Sequence, residues 1–161
     1  MSARADELVR ELALAPHPEG GFYRELFRSR RMVRTDDGRS ERWAATTIFY
    51  LLRGSDVNKW HRVASDEIWH WYEGAPLELH LLDPQVTRAR TEALGPVGAS
   101  SQPVRVVPAA CWQAVRCTGE YTLAGCTVAP GFEFSDFRLL RDVPELAERL
   151  KASFPQYLPH L

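Results

Sequence analysis

The stretch GSDVNKWHRVASDEIWHWYEG, Gly54 to Gly74, decides how this chain folds. It reads as strand, turn, strand. Asp56 to Val63 is extended, Ala64-Ser65-Asp66 has turn chemistry, and Glu67 to Tyr72 is an aromatic, β-prone run closed by Glu73-Gly74. Side chains alternate across a strand, so His61 and Val63 share one face, and Glu67, Trp69 and Trp71 share another. A hairpin that brings those faces together projects an imidazole and a carboxylate into one pocket walled by valine and tryptophan. Such a pair suits metal binding or proton transfer.

Similar runs recur on both sides at roughly ten-residue intervals: Phe22 to Arg30, Ala45 to Leu52, Leu77 to Asp83, Val104 to Val107, Trp112 to Cys117 and Tyr121 to Val128. Gly, Pro, Asp and Ser separate them without helical spacers, which predicts an all-β antiparallel sandwich or barrel. Helical spacing of Leu8 and Leu12, stopped by Pro16, predicts a short N-terminal helix over about 3–14. A second is predicted over about 143–154, after a β-region spanning about 20–140. Arg34 to Glu41, with Asp36-Asp37-Gly38, reads as a loop or hairpin turn, Ala93 to Pro103 as a mobile loop, and the tail to Leu161 as surface.

At 161 residues the chain reads as a single domain, 1–161. A formal charge of −1 with 25% charged and 45% hydrophobic residues argues against nucleic acid as a partner. The charged start MSARADELVREL has no signal-peptide core, and no run approaches the roughly 20 apolar residues of a membrane span, so a cytoplasmic protein without a membrane partner is expected. Cys111, Cys117 and Cys126 are odd in number and form no CxxC, which fits reduced core thiols.

The residues resemble the cupin superfamily, whose first motif runs glycine, His-x-His, glutamate, glycine. Gly54 is followed by six residues and His61, Val63 stands where the second histidine is expected, and Glu67 and Gly74 follow. In the second motif Pro108 matches, Ala110 stands at the glycine and Gln113 at the histidine. The chain further resembles a short, mostly bacterial and fungal branch of that superfamily labelled a domain of unknown function. That likeness rests on Pro18-Glu19-Gly20-Gly21-Phe22-Tyr23-Arg24-Glu25, Thr46 to Leu52, Trp60-His61-Arg62, Asp66 to Trp69, Pro108 to Gln113 and Val128 to Phe137, and it spans about Leu8 to Leu140. It implies a cupin-type antiparallel jelly-roll β-barrel with short terminal helices, a homodimer paired through strand edges, and a small-molecule ligand.

A metal-dependent member of the superfamily offers three histidines and one glutamate. Here only His61 and Glu67 remain as strong donors, joined by the amide oxygen of Gln113, so no metal cofactor is expected; a divalent ion, if bound, would use His61, Glu67 and Gln113. The leading expectation is acid-base chemistry of an epimerase or isomerase kind on a small polar or cyclic metabolite. The resemblance to sugar epimerases makes His61 the base, with Glu67 orienting it. Trp69, Trp71, Gln113, Glu19 and Tyr23 are the candidate substrate contacts. A metal-dependent enzyme with a reduced ligand set and a non-catalytic ligand-binding or sensor module remain as alternatives. His70 and His80 are placed on an outer surface, His17 and His160 are assigned no chemistry, and Pro130-Gly131-Phe132 with Asp136 reads as a structural closing segment.

Overall fold

The computed structural model describes residues 2–161. In chain order the elements are α1 (Ala3–Glu11), β1 (Ala15–Pro16), β2 (Phe22–Arg28), β3 (Met32–Val33), β4 (Arg42–Trp43), β5 (Thr46–Arg53), β6 (His61–Val63), β7 (Asp66–Gly74), β8 (Leu77–Leu82), β9 (Ala89–Leu94), β10 (Ser101–Gln102), β11 (Val104–Val107), β12 (Trp112–Cys117), β13 (Tyr121–Ala129), β14 (Phe137–Leu139) and α2 (Pro144–Ser153), with a final 3₁₀ turn, Pro155–His160. Two six-stranded sheets, ordered β1-β2-β5-β13-β7-β11 and β10-β9-β8-β12-β6-β14, lie face to face, and β3 with β4 forms a small hairpin. All pairings are antiparallel except β9 with β10. The result is a jelly-roll sandwich whose sheets stay separate rather than closing into one barrel.

Period-two alternation builds the core. Leu77, Leu79 and Leu81 of β8 point inward from one sheet and meet Tyr50 and Leu52 of β5 and Trp69 of β7 from the other, each at most 3% exposed. Burying each such leucine contributes roughly 1.5–3 kcal/mol. The outer face of the second sheet is also covered: Leu82, Trp112 and Ala114 pack against Trp60, Leu140 and Leu150 beneath α2 and the C-terminal turn. The tail is therefore a packed element and not a surface appendage, with His160 only 7% exposed. On the opposite side α1 seats Ala5 and Leu8 against Leu51 and Leu123.

The decisive stretch departs from a hairpin. β6 belongs to the second sheet, where His61 and Arg62 pair with Gln113 and Trp112, whereas β7 belongs to the first, between β13 and β11. The chain crosses between sheets at Ala64-Ser65. The Val63 carbonyl accepts from the Ala110 N–H (2.9 Å), and Asp66 Oδ1 accepts from the Ala109 N–H (2.8 Å). Only His61–Val63 of the extended Asp56–Val63 run joins a ladder. Strand β9, Ala-Arg-Thr-Glu-Ala-Leu, was not expected because alanine, arginine and glutamate have weak β preference; its pairing with β8 overrides that.

Candidate active site

Between the sheets at one end lies a cavity of about 310 Å³. It is deep at Glu19, His61, Glu67 and Cys126, and its outer rim is marked by Phe134, 58% exposed, and by the half-buried Arg28. Glu19 arrives on the turn before β2. Gly20 and Gly21 take φ of +105° and +73°, and a Cβ on Gly20 would collide with the Val57 carbonyl oxygen, so the turn requires glycine. Tyr50 donates its hydroxyl to Gly20 O (2.7 Å), and the Lys59 N–H donates to Glu19 O (2.8 Å). The same turn that needs two glycines thus carries the Glu19 side chain inward, to 6% exposure.

The hydrogen bonds fix the state of the imidazole. His61 Nδ1 lies 2.7 Å from Lys59 O, which can only accept, so Nδ1 carries the proton. Nε2 then faces Glu19 Oε2 at 3.0 Å. Burial lowers the His61 pKa to about 4, against the opposing bond to Lys59, while burial and then the nearby Glu67 raise Glu19 well above the usual carboxylate range. Both shifts favour a neutral acid donating to a neutral imidazole. His61 is accordingly paired with Glu19 and not with Glu67.

Glu67 is held separately, across the sandwich. The Trp69 indole N–H, a donor only, lies 2.9 Å from Gln113 Oε1, which turns the Gln113 amide N–H toward Glu67 Oε2. Burial raises the Glu67 pKa, and hydrogen bonds from Gln113 and Cys126 pull it back. The two carboxyl groups are therefore unequal. Glu19 has an imidazole to share its proton with, and Glu67 has donors that stabilise its charge. Two carboxyls driven apart by their surroundings are the usual arrangement for an acid and a base in one site.

His17, given no chemistry from its turn context, lines the same cavity. Its Nδ1 accepts from the Glu19 N–H (3.3 Å) and lies 3.6 Å from Glu19 Oε2, its ring meets Tyr23 edge-on at 4.5 Å, and burial followed by His61 lowers its pKa to about 3. Sequence reasoning also missed Cys126, Asn58 and the aromatic rim. Phe132, Phe134 and Phe137 meet edge-on at 5.1–6.5 Å, and Phe137 stacks on His61 at 5.5 Å. The closing segment Pro130-Gly131-Phe132 thus supplies the wall expected from tryptophans.

Of the predicted residues, Glu19, Tyr23, His61 and Glu67 line the cavity, whereas Trp69, Trp71 and Gln113 stand outside its lining. Trp69 and Gln113 act from behind Glu67, Trp69 also meeting Tyr50 edge-on at 5.6 Å. Trp71 packs against the central core with its indole N–H unpartnered. The face assignment along β7 holds, but the cavity reaches only its Glu67 end. Gln113 also spends its oxygen on Trp69, so the set His61, Glu67 and Gln113 does not fit a metal ion. Among the described residues no three His, Cys, Asp or Glu side chains gather at ligating spacing.

A jelly-roll sandwich with a cavity at the end marked by the histidine and glutamate motif defines a cupin. The profile of the family described as "Cupin superfamily (DUF985)" matches residues 6–140, and the chain belongs to that family. A hypothetical protein from Leishmania major is 30% identical over 95% of this chain and 93% of its own, with a TM-score of 0.82. A protein of Shewanella oneidensis is 34% identical over 95% and 91%, with a TM-score of 0.78. Oxalate decarboxylase from Bacillus subtilis shares the fold alone, at 14% identity and a TM-score of 0.58, over 87% of this chain and 34% of that one. No match was found among curated proteins.

Proposed function

We propose that the cavity binds a small polar or cyclic metabolite and moves a proton on it, in an epimerase- or isomerase-like reaction. The observation that carries this reading is the unequal pair of buried carboxyls in one cavity, Glu19 bonded to the His61 imidazole and Glu67 bonded to the Gln113 amide. The roles differ from those expected of the sequence. Glu67 is the base that takes a proton from carbon beside a carbonyl, and the Glu19–His61 pair supplies a proton to the oxygen on which charge develops. Return of both protons restores the protein. The cavity's 310 Å³ is at the small end of ligand sites, and its phenylalanine rim suits one flat or apolar face of such a molecule. His61 and Glu67 do not bond each other, so two separate polar pairs, Glu19–His61 and Glu67–Gln113, face one cavity.

A positioned base is worth about 10²–10⁴ in rate. A library of small cyclic and polyhydroxylated carbonyl compounds is screened by thermal shift, and the hits are followed by proton NMR in D₂O. The wild type is expected to exchange the carbon-bound hydrogen next to the carbonyl for deuterium. Glu67→Gln should still bind and should exchange about 10²–10⁴ times more slowly. Hits that bind the wild type tightly without any exchange would leave a binding module in place of an enzyme.

A further inference from the structure

The strand pair β6 and β14 carries the cavity on one face and a different surface on the other. His61 and Phe137 border the cavity, Arg62 and Arg138, their neighbours in the alternation, line a second hollow of about 310 Å³, and Val63 at the end of β6 borders both. Arg138 stands directly opposite Arg62 in the ladder. Like charges in that position destabilise a sheet. Nearby arginines are neutralised: Arg39 and Arg42 both bind Asp136 at 2.8 Å. Among the described residues Arg62 and Arg138 have no carboxylate partner, although Asp136 borders the same hollow.

The arrangement is held in place. The Arg62 guanidinium lies 4.6 Å from the centre of the Trp112 ring, and that ring is fully buried. Ala110, at φ +65°, brings the Pro108–Cys111 turn to the hollow's edge through its bond to Val63. Ser135 adds a hydroxyl. Arg39, Arg62 and Arg138 face a single carboxylate, Asp136, already engaged by Arg39 and Arg42, so the hollow is electropositive. Burial and Arg138 together lower the Arg62 pKa, in keeping with two cations left facing each other.

We propose that this hollow is an oxyanion site, in which a phosphate or carboxylate group bridges Arg62 and Arg138 with the Ser135 hydroxyl as a further donor. Guanidinium pairs are matched to such groups because their forked N–H donors meet two oxygens at once. The bound anion would relieve the repulsion across the ladder. The site is separate from the proton-transfer cavity, and its test does not depend on that reading.

The test measures melting temperature and calorimetric binding with inorganic phosphate and, in parallel, acetate, with sodium chloride holding ionic strength constant. Saturable stabilisation of the wild type by either anion is expected, and the tighter of the two names the group recognised. Arg62→Gln and Arg138→Gln should each weaken binding at least tenfold, whereas Arg30→Gln, an exposed arginine elsewhere, should leave it unchanged. At low salt without added anion, Arg138→Gln should melt about 1–3 °C higher than the wild type through loss of the like-charge contact. No stabilisation, or the same stabilisation in all four proteins, overturns the proposal. So does self-association that Arg138→Glu abolishes while phosphate has no effect, since the arginine pair would then belong to an interface between copies of the chain.

Discussion

Two pairs of histidines are buried in this molecule, and only one of them borders the cavity. His17 and His61 have pKa values lowered by burial to about 3 and about 4. His80, also lowered to about 4, and His160, lowered as well, lie with ring centres 5.4 Å apart under the C-terminal turn. By titration alone the pairs look alike. Their partners differ: His61 Nε2 meets the buried Glu19 carboxyl at 3.0 Å beside a cavity, whereas His80 bonds Thr91 Oγ1 (2.9 Å) beside Tyr157 with the more exposed Glu78 carboxylate at 3.7 Å, and His160 donates to Asn58 O (2.8 Å). A lowered histidine pKa therefore reports burial. What sets His61 apart is a buried acid partner with space for a ligand beside it.

Asn58, fully buried, joins the two regions. Its carbonyl receives His160, its amide donates to Tyr50 OH (2.9 Å), which in turn holds Gly20 O beside Glu19, and its Oδ1 accepts the Val115 N–H (2.9 Å). The clamp thus braces the turn that carries Glu19 without entering the cavity. The largest effect expected from breaking it is in stability. Trp60, 1% exposed, is packed by Tyr157 and His160, and Trp60→Ala should cost about 3–5 kcal/mol in urea unfolding. Under conditions where the variant stays folded, deuterium exchange should remain within about tenfold of the wild type, since the Trp60 backbone still holds His160 O and the Leu140 N–H. Loss of exchange in the folded variant would make the two regions one unit.

Acid sharpens the contrast. A buried histidine that stays neutral when folded takes up protons first in the unfolded chain, so stability falls as pH drops from about 6.5 toward the folded value of about 4, by on the order of 3 kcal/mol for His61 alone. Glu19 acts with the opposite sign. Its folded pKa is raised, so it holds a proton that the unfolded chain has released, and its contribution falls as pH rises above about 4.5. The two trends offset each other between about pH 4.5 and 6.5. Glu19→Gln removes one of them, and its stability, followed by urea unfolding at several pH values, should decline more steeply toward acid than that of the wild type. Parallel curves would mean that Glu19 is ionised in the folded protein and that the acid of the proposed reaction lies elsewhere.

Much of the site was legible because alternation and turn chemistry are local. His61 with Val63, and Glu67 with Trp69, lie on the faces their spacing assigns, and Gly20-Gly21 both turns the chain and delivers Glu19. Strand pairing is not local. Nothing in Ala64-Ser65-Asp66 says that the chain leaves one sheet for the other, so Glu67 was matched to His61 when the true neighbour, Glu19, lies 42 residues earlier. Trp69 and Trp71 were placed on the correct face at the wrong depth, because alternation does not locate the end of a cavity. The dipeptide His17-Pro18 gives no periodic sign of which way its ring turns; packing on Tyr23 decides that. His80 was correctly put on the outer face of β8, where only the unexpected docking of the tail buries it.

The smallest effect tests the clamp from inside. His80→Gln gives up the bond to Thr91, worth about 0.5–1.5 kcal/mol near neutral pH. It also removes a buried group that resists protonation, so the deficit should shrink or reverse as pH falls from about 6.5 toward 4. Deuterium exchange in the cavity should be unaffected at either pH, because the residues linking His80 to Glu19, namely His160 and then Asn58, keep their backbone and amide bonds without it. A fall in wild-type exchange toward acid that His80→Gln abolishes, with the fold intact, would instead make the C-terminal turn a pH-sensing part of the cavity. The resemblance between the two histidine pairs would then extend beyond burial.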